Sequence, residues 1–115
     1  MTATAQLRVM ADYGSSGIWA DGDIGPFRHG MVRHADLSLP PELTVAFKRW
    51  IEGYWERKQW NQADNDAFNR TGRSLAAQLK AHVGDDVTVT FQPELWQWSR
   101  ARGTGTVSMA PPGHE

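Results

Sequence analysis

Seven apolar residues, Leu43, Ala46, Phe47, Trp50, Ile51, Tyr54 and Trp55, recur at i, i+3, i+4, i+7, i+8, i+11 and i+12. That spacing is the apolar stripe of an amphipathic helix, with Glu42, Lys48, Arg49, Glu52, Glu56 and Arg57 on the other face. Pro41 suits the first turn, where its missing N–H leaves nothing unpaired. The pattern predicts a helix of about five turns ending near Lys58 or Gln59. Gly53 lies inside it and costs about 1 kcal/mol relative to Ala. Trp50 and Trp55 both fall on the stripe and are expected in the core. So wide a stripe must be covered by other elements of the same chain.

A second helix follows a short polar linker, Asn61 to Asp64. Asp64 or Asn65 can cap it, with Asp66 in its positive first turn. Phe68, Gly72, Leu75, Ala76, Leu79 and Val83 mark its buried face, and Gly84 is read as an αL cap closing it. Two small residues on that face, Gly72 and Ala76, point to close approach to the first helix or to a sheet.

Strand patterns stand at both ends of this helical pair. From Gln6 to Asp12, Leu7, Val9 and Ala11 alternate with Arg8, Met10 and Asp12. Tyr13-Gly14-Ser15-Ser16-Gly17 is a turn, and Ile18-Trp19-Ala20 resumes a strand, so residues 6–20 read as a hairpin. Asp21 to Ser38 is irregular, with Met31-Val32-Arg33 able to add one short strand. Val87-Thr88-Val89-Thr90-Phe91 is a β-branched strand with Val87, Val89 and Phe91 facing inward. The order predicts an α+β fold: a small, mostly antiparallel sheet of about three strands with two helices packed on one face. The last strand is expected beside Gln6–Asp12.

Length and charge bound what such a domain does. A chain of 115 residues buries about two-thirds of its surface on folding, enough for one core. Residues 1–92 are read as a single α+β domain and residues 93–115 as a largely disordered C-terminal tail rich in Gly and Pro. The formal charge is −1, and each quarter of the chain carries both signs in near balance, so no basic stripe marks a nucleic-acid partner. No apolar run is long enough to span a membrane, and the start MTATAQLRVMADYG lacks the apolar stretch of a secretion signal, so a cytoplasmic location is expected. There is no cysteine, which removes disulfides, thiol nucleophiles and Cys-ligated zinc.

Four features could carry chemistry. His29 and His34 stand five apart in the irregular loop, with Asp36, Asp21 and Asp23 near in sequence. They support an alternative reading as a small hydrolase or nuclease, because imidazole works as acid, base or ligand near neutral pH. Their spacing matches no helical metal pair, and neither a metal nor another cofactor is expected. His82 stands at a helix C-terminus, a structural place for a positive charge. Ser15 and Ser16 could form an anion-binding nest or a plain turn; a nucleophilic serine would need a base and a strained elbow that the sequence does not supply. Six Trp in one small chain is high. Trp19, Trp60, Trp96 and Trp98 lie on short or terminal segments, outside the helical stripe, and Trp and Arg are favoured anchors of protein interfaces.

Several strings taken together carry a resemblance. They are ADYGSSGIW after the first strand, GPF and GM in the loop, LSLPPEL at the start of the first helix, AFNRTGRSLAAQLKAHVG and the closing VTVTF. The most specific parts are Asp12-Tyr13-x-Ser15-Ser16-Gly17-x-Trp19 and Gly72-Arg73-x-Leu75-Ala76. Over about residues 7–92 the chain resembles a loose group of short, largely uncharacterised bacterial proteins, some of which look like immunity proteins of polymorphic toxin systems. The resemblance implies a non-enzymatic domain that binds another protein, in its most concrete form a bacterial toxin, and it carries over no catalytic residue. The expected partner surface is Tyr13, Ser15, Ser16 and Trp19 together with Phe27, Arg28, His29, Arg33 and His34. A homo-oligomeric structural module is the further alternative.

Overall fold

The computed structural model describes residues 5–21, 30–96 and 107–108. Strands β1 (Ala5–Val9) and β2 (Ile18–Ala20) form the expected antiparallel hairpin, with Val9 opposite Ile18 and Leu7 opposite Ala20. A short β3 (Gly30–Met31) pairs outside β2. Helices α1 (Pro41–Tyr54) and α2 (Gln62–Val83) follow, and β4 (Val87–Phe91) then runs parallel to β1. A final β5 (Val107–Ser108) lies antiparallel to β4. The sheet order is β3-β2-β1-β4-β5. The α+β class and the place of β4 beside β1 agree with the sequence reading. The strand count does not: five strands stand where about three were expected, and the β1–β4 pairing is parallel. The two extra strands are two residues each; β3 overlaps the short strand allowed for at Met31-Val32-Arg33, and β5 is too short to show an alternation.

One face of the sheet is apolar because strand side chains alternate. Leu7, Val9, Ile18, Ala20, Val89 and Phe91 are buried on it. They join Leu43, Phe47, Trp50, Ile51 and Tyr54 of α1 and Phe68, Leu75, Ala76 and Leu79 of α2 in one cluster. The small residues of α2 explain how two helices and a sheet meet there. A Cβ on Gly72 would stand 2.5 Å from the Trp50 ring and 2.6 Å from the Phe91 ring, so only glycine fits between them. Trp50 stacks on Phe68 at 4.7 Å and donates its indole N–H to the Phe68 carbonyl at 3.0 Å, which ties α1 to α2.

The helix ends differ from expectation at three points. Helix α1 stops at Tyr54, with a separate turn of 3-10 helix at Arg57–Gln59. Helix α2 begins earlier than Asp64: Asn61 is its cap, accepting the Asp64 N–H at 2.8 Å while the Asp64 carboxylate accepts the Asn61 N–H at 3.1 Å. This reciprocal capping box satisfies two otherwise orphaned donors. Gly84 does close α2 with positive φ, but at φ 83°, ψ −169°, outside the αL region. Lys80 then bonds the carbonyls of Gly84 and Val87, fixing the turn into β4. No helix among the described residues is long and apolar enough to cross a membrane.

Candidate functional site

The turn after β1 is built from its own hydroxyls. The Ser15 hydroxyl accepts the Gly17 N–H at 3.1 Å and donates to the Asp12 carbonyl at 2.9 Å. The Ser16 hydroxyl accepts the Ile18 N–H at 3.2 Å. The Ser15, Gly17 and Ile18 amides are therefore bonded within the turn rather than open to an anion. Ser16 is buried and Ser15 half-buried. Gly17, at φ +83°, presses its backbone onto Trp50, Ile51 and Phe47 of α1, where a Cβ would sit 3.2–3.3 Å from the rings and methyls. The turn is thus clamped to the helix, and Tyr13 at its tip is held in a defined place.

At that place Tyr13 meets the end of α1. Its ring lies 4.8 Å from Tyr54 and 4.7 Å from Trp55. Arg57, in the turn that follows, donates from Nε to the Tyr13 hydroxyl at 2.9 Å and from Nη1 to Glu94 at 2.8 Å. Its guanidinium also stands 5.1 Å from the Tyr54 ring and 5.7 Å from the Tyr13 ring, within cation–π range. Glu94 accepts the Tyr54 hydroxyl with its second oxygen at 3.1 Å. The backbone of Glu94 is gripped by α2: Asn65 and Asn69 donate to its carbonyl at 3.0 and 2.9 Å, and the Asn69 side-chain oxygen accepts its N–H at 2.8 Å.

This corner shifts the titration of its members. Burial, then the neighbouring Glu94 charge, pushes the Tyr54 phenol up to about 12. The hydrogen bond to Tyr13 raises Arg57 further above its ordinary value. Both phenol and guanidinium therefore keep one charge state across the physiological range.

Of the expected site residues that are described, His34 is joined to Ser16, and Tyr13, Trp19 and Arg33 stand in surroundings of their own. Tyr13 is exposed and belongs to the corner with Trp55, Arg57 and Glu94. Trp19 is half-buried; its indole N–H donates to the Met10 carbonyl at 3.0 Å, and its strand position puts it on the sheet face opposite the core. Arg33 is exposed and pairs with Asp36 at 3.0 Å, a contact that holds the Asp36 carboxyl below its usual range. His34 donates from Nε2 to the Ser16 carbonyl at 2.9 Å and lies beside Phe47. Phe27, Arg28 and His29 lie outside the described residues, as does Trp98.

Two expectations for aromatic residues are corrected. Trp55 is not core: it is 63% exposed, the most exposed large hydrophobic among the described residues. Trp60, read as outside the core, is partly buried and packs 4.8 Å from Phe68. Trp96 is half-buried and lines a groove of about 420 Å³ with Trp60, Lys58, Gln92 and Pro93. Sequence reasoning missed Arg57 and Glu94 as partners because they are 37 residues apart and neither belongs to a motif.

Of the residues in the hydrolase or nuclease reading, His29 and Asp23 lie outside the described residues. His34 is bonded to the Ser16 carbonyl and Asp36 to Arg33. No group of three or more His, Asp or Glu side chains among the described residues could hold a metal ion. His82 donates to the Leu37 carbonyl at 2.8 Å, tying the end of α2 to the loop before α1.

Comparison with known proteins gives one family. A search of the curated proteins returns no match. The family model described as Serratia CdiI immunity protein-like matches residues 5–94, from the first residue of β1 to the carboxylate that locks the aromatic corner. That span is more than three-quarters of the chain and takes in every element from β1 through β4. The chain belongs to the Serratia CdiI immunity protein-like family.

Proposed function

We propose that this protein is a cytoplasmic immunity protein that neutralises a bacterial toxin by binding it, without chemistry of its own. The observation that carries the reading is the family match over residues 5–94, which takes in every element from β1 through β4. Exposed side chains of Tyr13, Trp55 and Arg33 suit an anchor role, since Trp, Tyr and Arg give large contact area for little lost entropy. The proposed contact surface takes in Tyr13, Ser15, Ser16, Trp19, Arg33 and His34, with Trp55 beside Tyr13 and with Phe27, Arg28 and His29, which lie outside the described residues. Within it the buried Ser16 acts by shaping the turn and His34 by tying the loop to it.

The test is co-expression with each candidate toxin domain whose reading frame adjoins that of this chain. The protein is expected to restore growth and to purify with that toxin as a stable complex. Growth arrest despite abundant soluble protein, with no complex on mixing, would overturn the reading. A toxin destroyed or modified by the purified chain would show chemistry in place of binding.

A further inference from the structure

We infer, on the reading of this chain as a toxin-binding protein, that the toxin is gripped by an Arg or Lys side chain laid on the exposed indole of Trp55. Trp55 is 63% exposed and its neighbour Tyr13 39%, with ring centroids 4.7 Å apart. Tyr13, the ring against which Trp55 rests, is held before any partner arrives. Tyr13 is fixed by the Arg57 hydrogen bond at 2.9 Å, and Arg57 by Glu94 at 2.8 Å. Little side-chain entropy is left to lose on binding, which favours an anchor.

Local charge selects the occupant. The one cation inside the corner, Arg57, is cancelled by Glu94. Around the rings stand three exposed carboxylates: Asp12 beside Tyr13, Glu52 one helical turn before Trp55, and Glu56 directly after it. None of the three is in an ion pair among the described residues. The other cations along this stretch are Lys48 and Arg49, about two turns back along α1, and Lys58, which lines the groove beside Trp60; none of them lies over the Trp55 ring among the described residues. An open π-face rimmed by unpaired carboxylates attracts a cation and repels an anion. The corner already receives one guanidinium in this way, since Arg57 lies over both Tyr13 and Tyr54. Trp55 keeps the face that no internal cation covers among the described residues.

The experiment measures binding of the purified cognate toxin domain to the full chain and to three variants, with thermal unfolding as the check on fold. Trp55→Ala is expected to weaken binding about 30-fold, the loss typical of an aromatic anchor, with the melting curve unchanged. Trp55→Leu keeps apolar area but removes the π-face, and is expected to lose as much. Glu52→Gln with Glu56→Gln is expected to weaken binding several-fold, mostly through slower association, and to flatten its salt dependence.

Wild-type affinity in Trp55→Ala would overturn the inference while leaving the immunity reading in place. Wild-type affinity in Trp55→Leu would show a purely apolar anchor, and tighter binding on removing Glu52 and Glu56 charge would show an acidic partner; each would overturn it too. Failure of the wild-type chain itself to bind the toxin removes the immunity reading, and this surface with it.

Discussion

Trp50 and Trp55 stand five residues apart on one helical stripe and end in opposite surroundings. Trp50 is 5% exposed, stacked on Phe68 and hydrogen-bonded across to α2. Trp55 is 63% exposed and touches Tyr13 at the surface. At about 100° per residue, Trp55 lies roughly 120° round from Leu43, at the margin of the stripe, and α1 ends one residue before it. The seam around Trp50 is dense because Gly72 lets two aromatic rings approach the α2 backbone. The corner around Trp55 is held by charge and hydroxyl contacts to Glu94, with water on one side. One region gives stability, and the other is free to meet a partner.

Substitution should separate the two regions sharply. Trp50→Ala removes a buried ring and its hydrogen bond, and is expected to cost about 3–5 kcal/mol in urea unfolding. Trp55→Ala should stay within about 0.5 kcal/mol of wild type in the same assay. Similar losses at both positions would break the comparison.

Gly72→Ala tests the seam at its tightest point. A methyl 2.5 Å from one ring and 2.6 Å from another forces aromatic side chains apart, at an expected cost of about 2–3 kcal/mol despite alanine's better helix propensity.

The corner is expected to fail in alkali. Tyr54 has its folded value near 12 against 10.0 for a free phenol, so the folded state prefers the protonated form. Its contribution is complete below pH 10 and is lost as pH rises towards about 12, a change of about 2 kcal/mol. Tyr54→Phe has no proton to lose, so the stability gap between wild type and variant should narrow or reverse across that window. Unfolding curves of both proteins at stepped pH check it, and parallel curves would refute the role of Tyr54.

The smallest effect is a gain. A Cβ on Gly53 meets nothing within 4 Å, so Gly53→Ala is expected to stabilise α1 by about 0.5–1 kcal/mol through helix propensity alone. Melting temperature is the readout, and a loss would mean that the outer face of α1 is more constrained than Gly53's open surroundings suggest.

Much of the fold is legible because periodicity is local. The stripe from Leu43 to Tyr54, the alternation in Leu7–Val9 and Val87–Phe91, and the small pair Gly72 and Ala76 each announce their buried face within a few residues. The short β3 is only allowed for, over Met31-Val32-Arg33, and stands at Gly30–Met31; β5 is not legible, because two residues carry no pattern. The candidate site was half visible. Tyr13 stands in a turn whose serines and glycines mark it, whereas Glu94 follows Pro93 in what reads as the start of a tail, with no signal that Asn65 and Asn69 would seize its backbone. Trp55 could have been placed correctly from its angle at the stripe's edge.

The sequence by itself determined the element order, the apolar faces, the absence of a charge stripe and the resemblance that led to an immunity family. These depend on residue type and on spacing along the chain. Only the tertiary structure decided that β1 and β4 run parallel and that Trp60 is inside while Trp55 is outside. It alone joined Tyr13, Arg57 and Glu94 across 44 and 37 residues. Contacts between distant segments depend on where helices stop and how closely backbones approach, and neither is written in any local pattern.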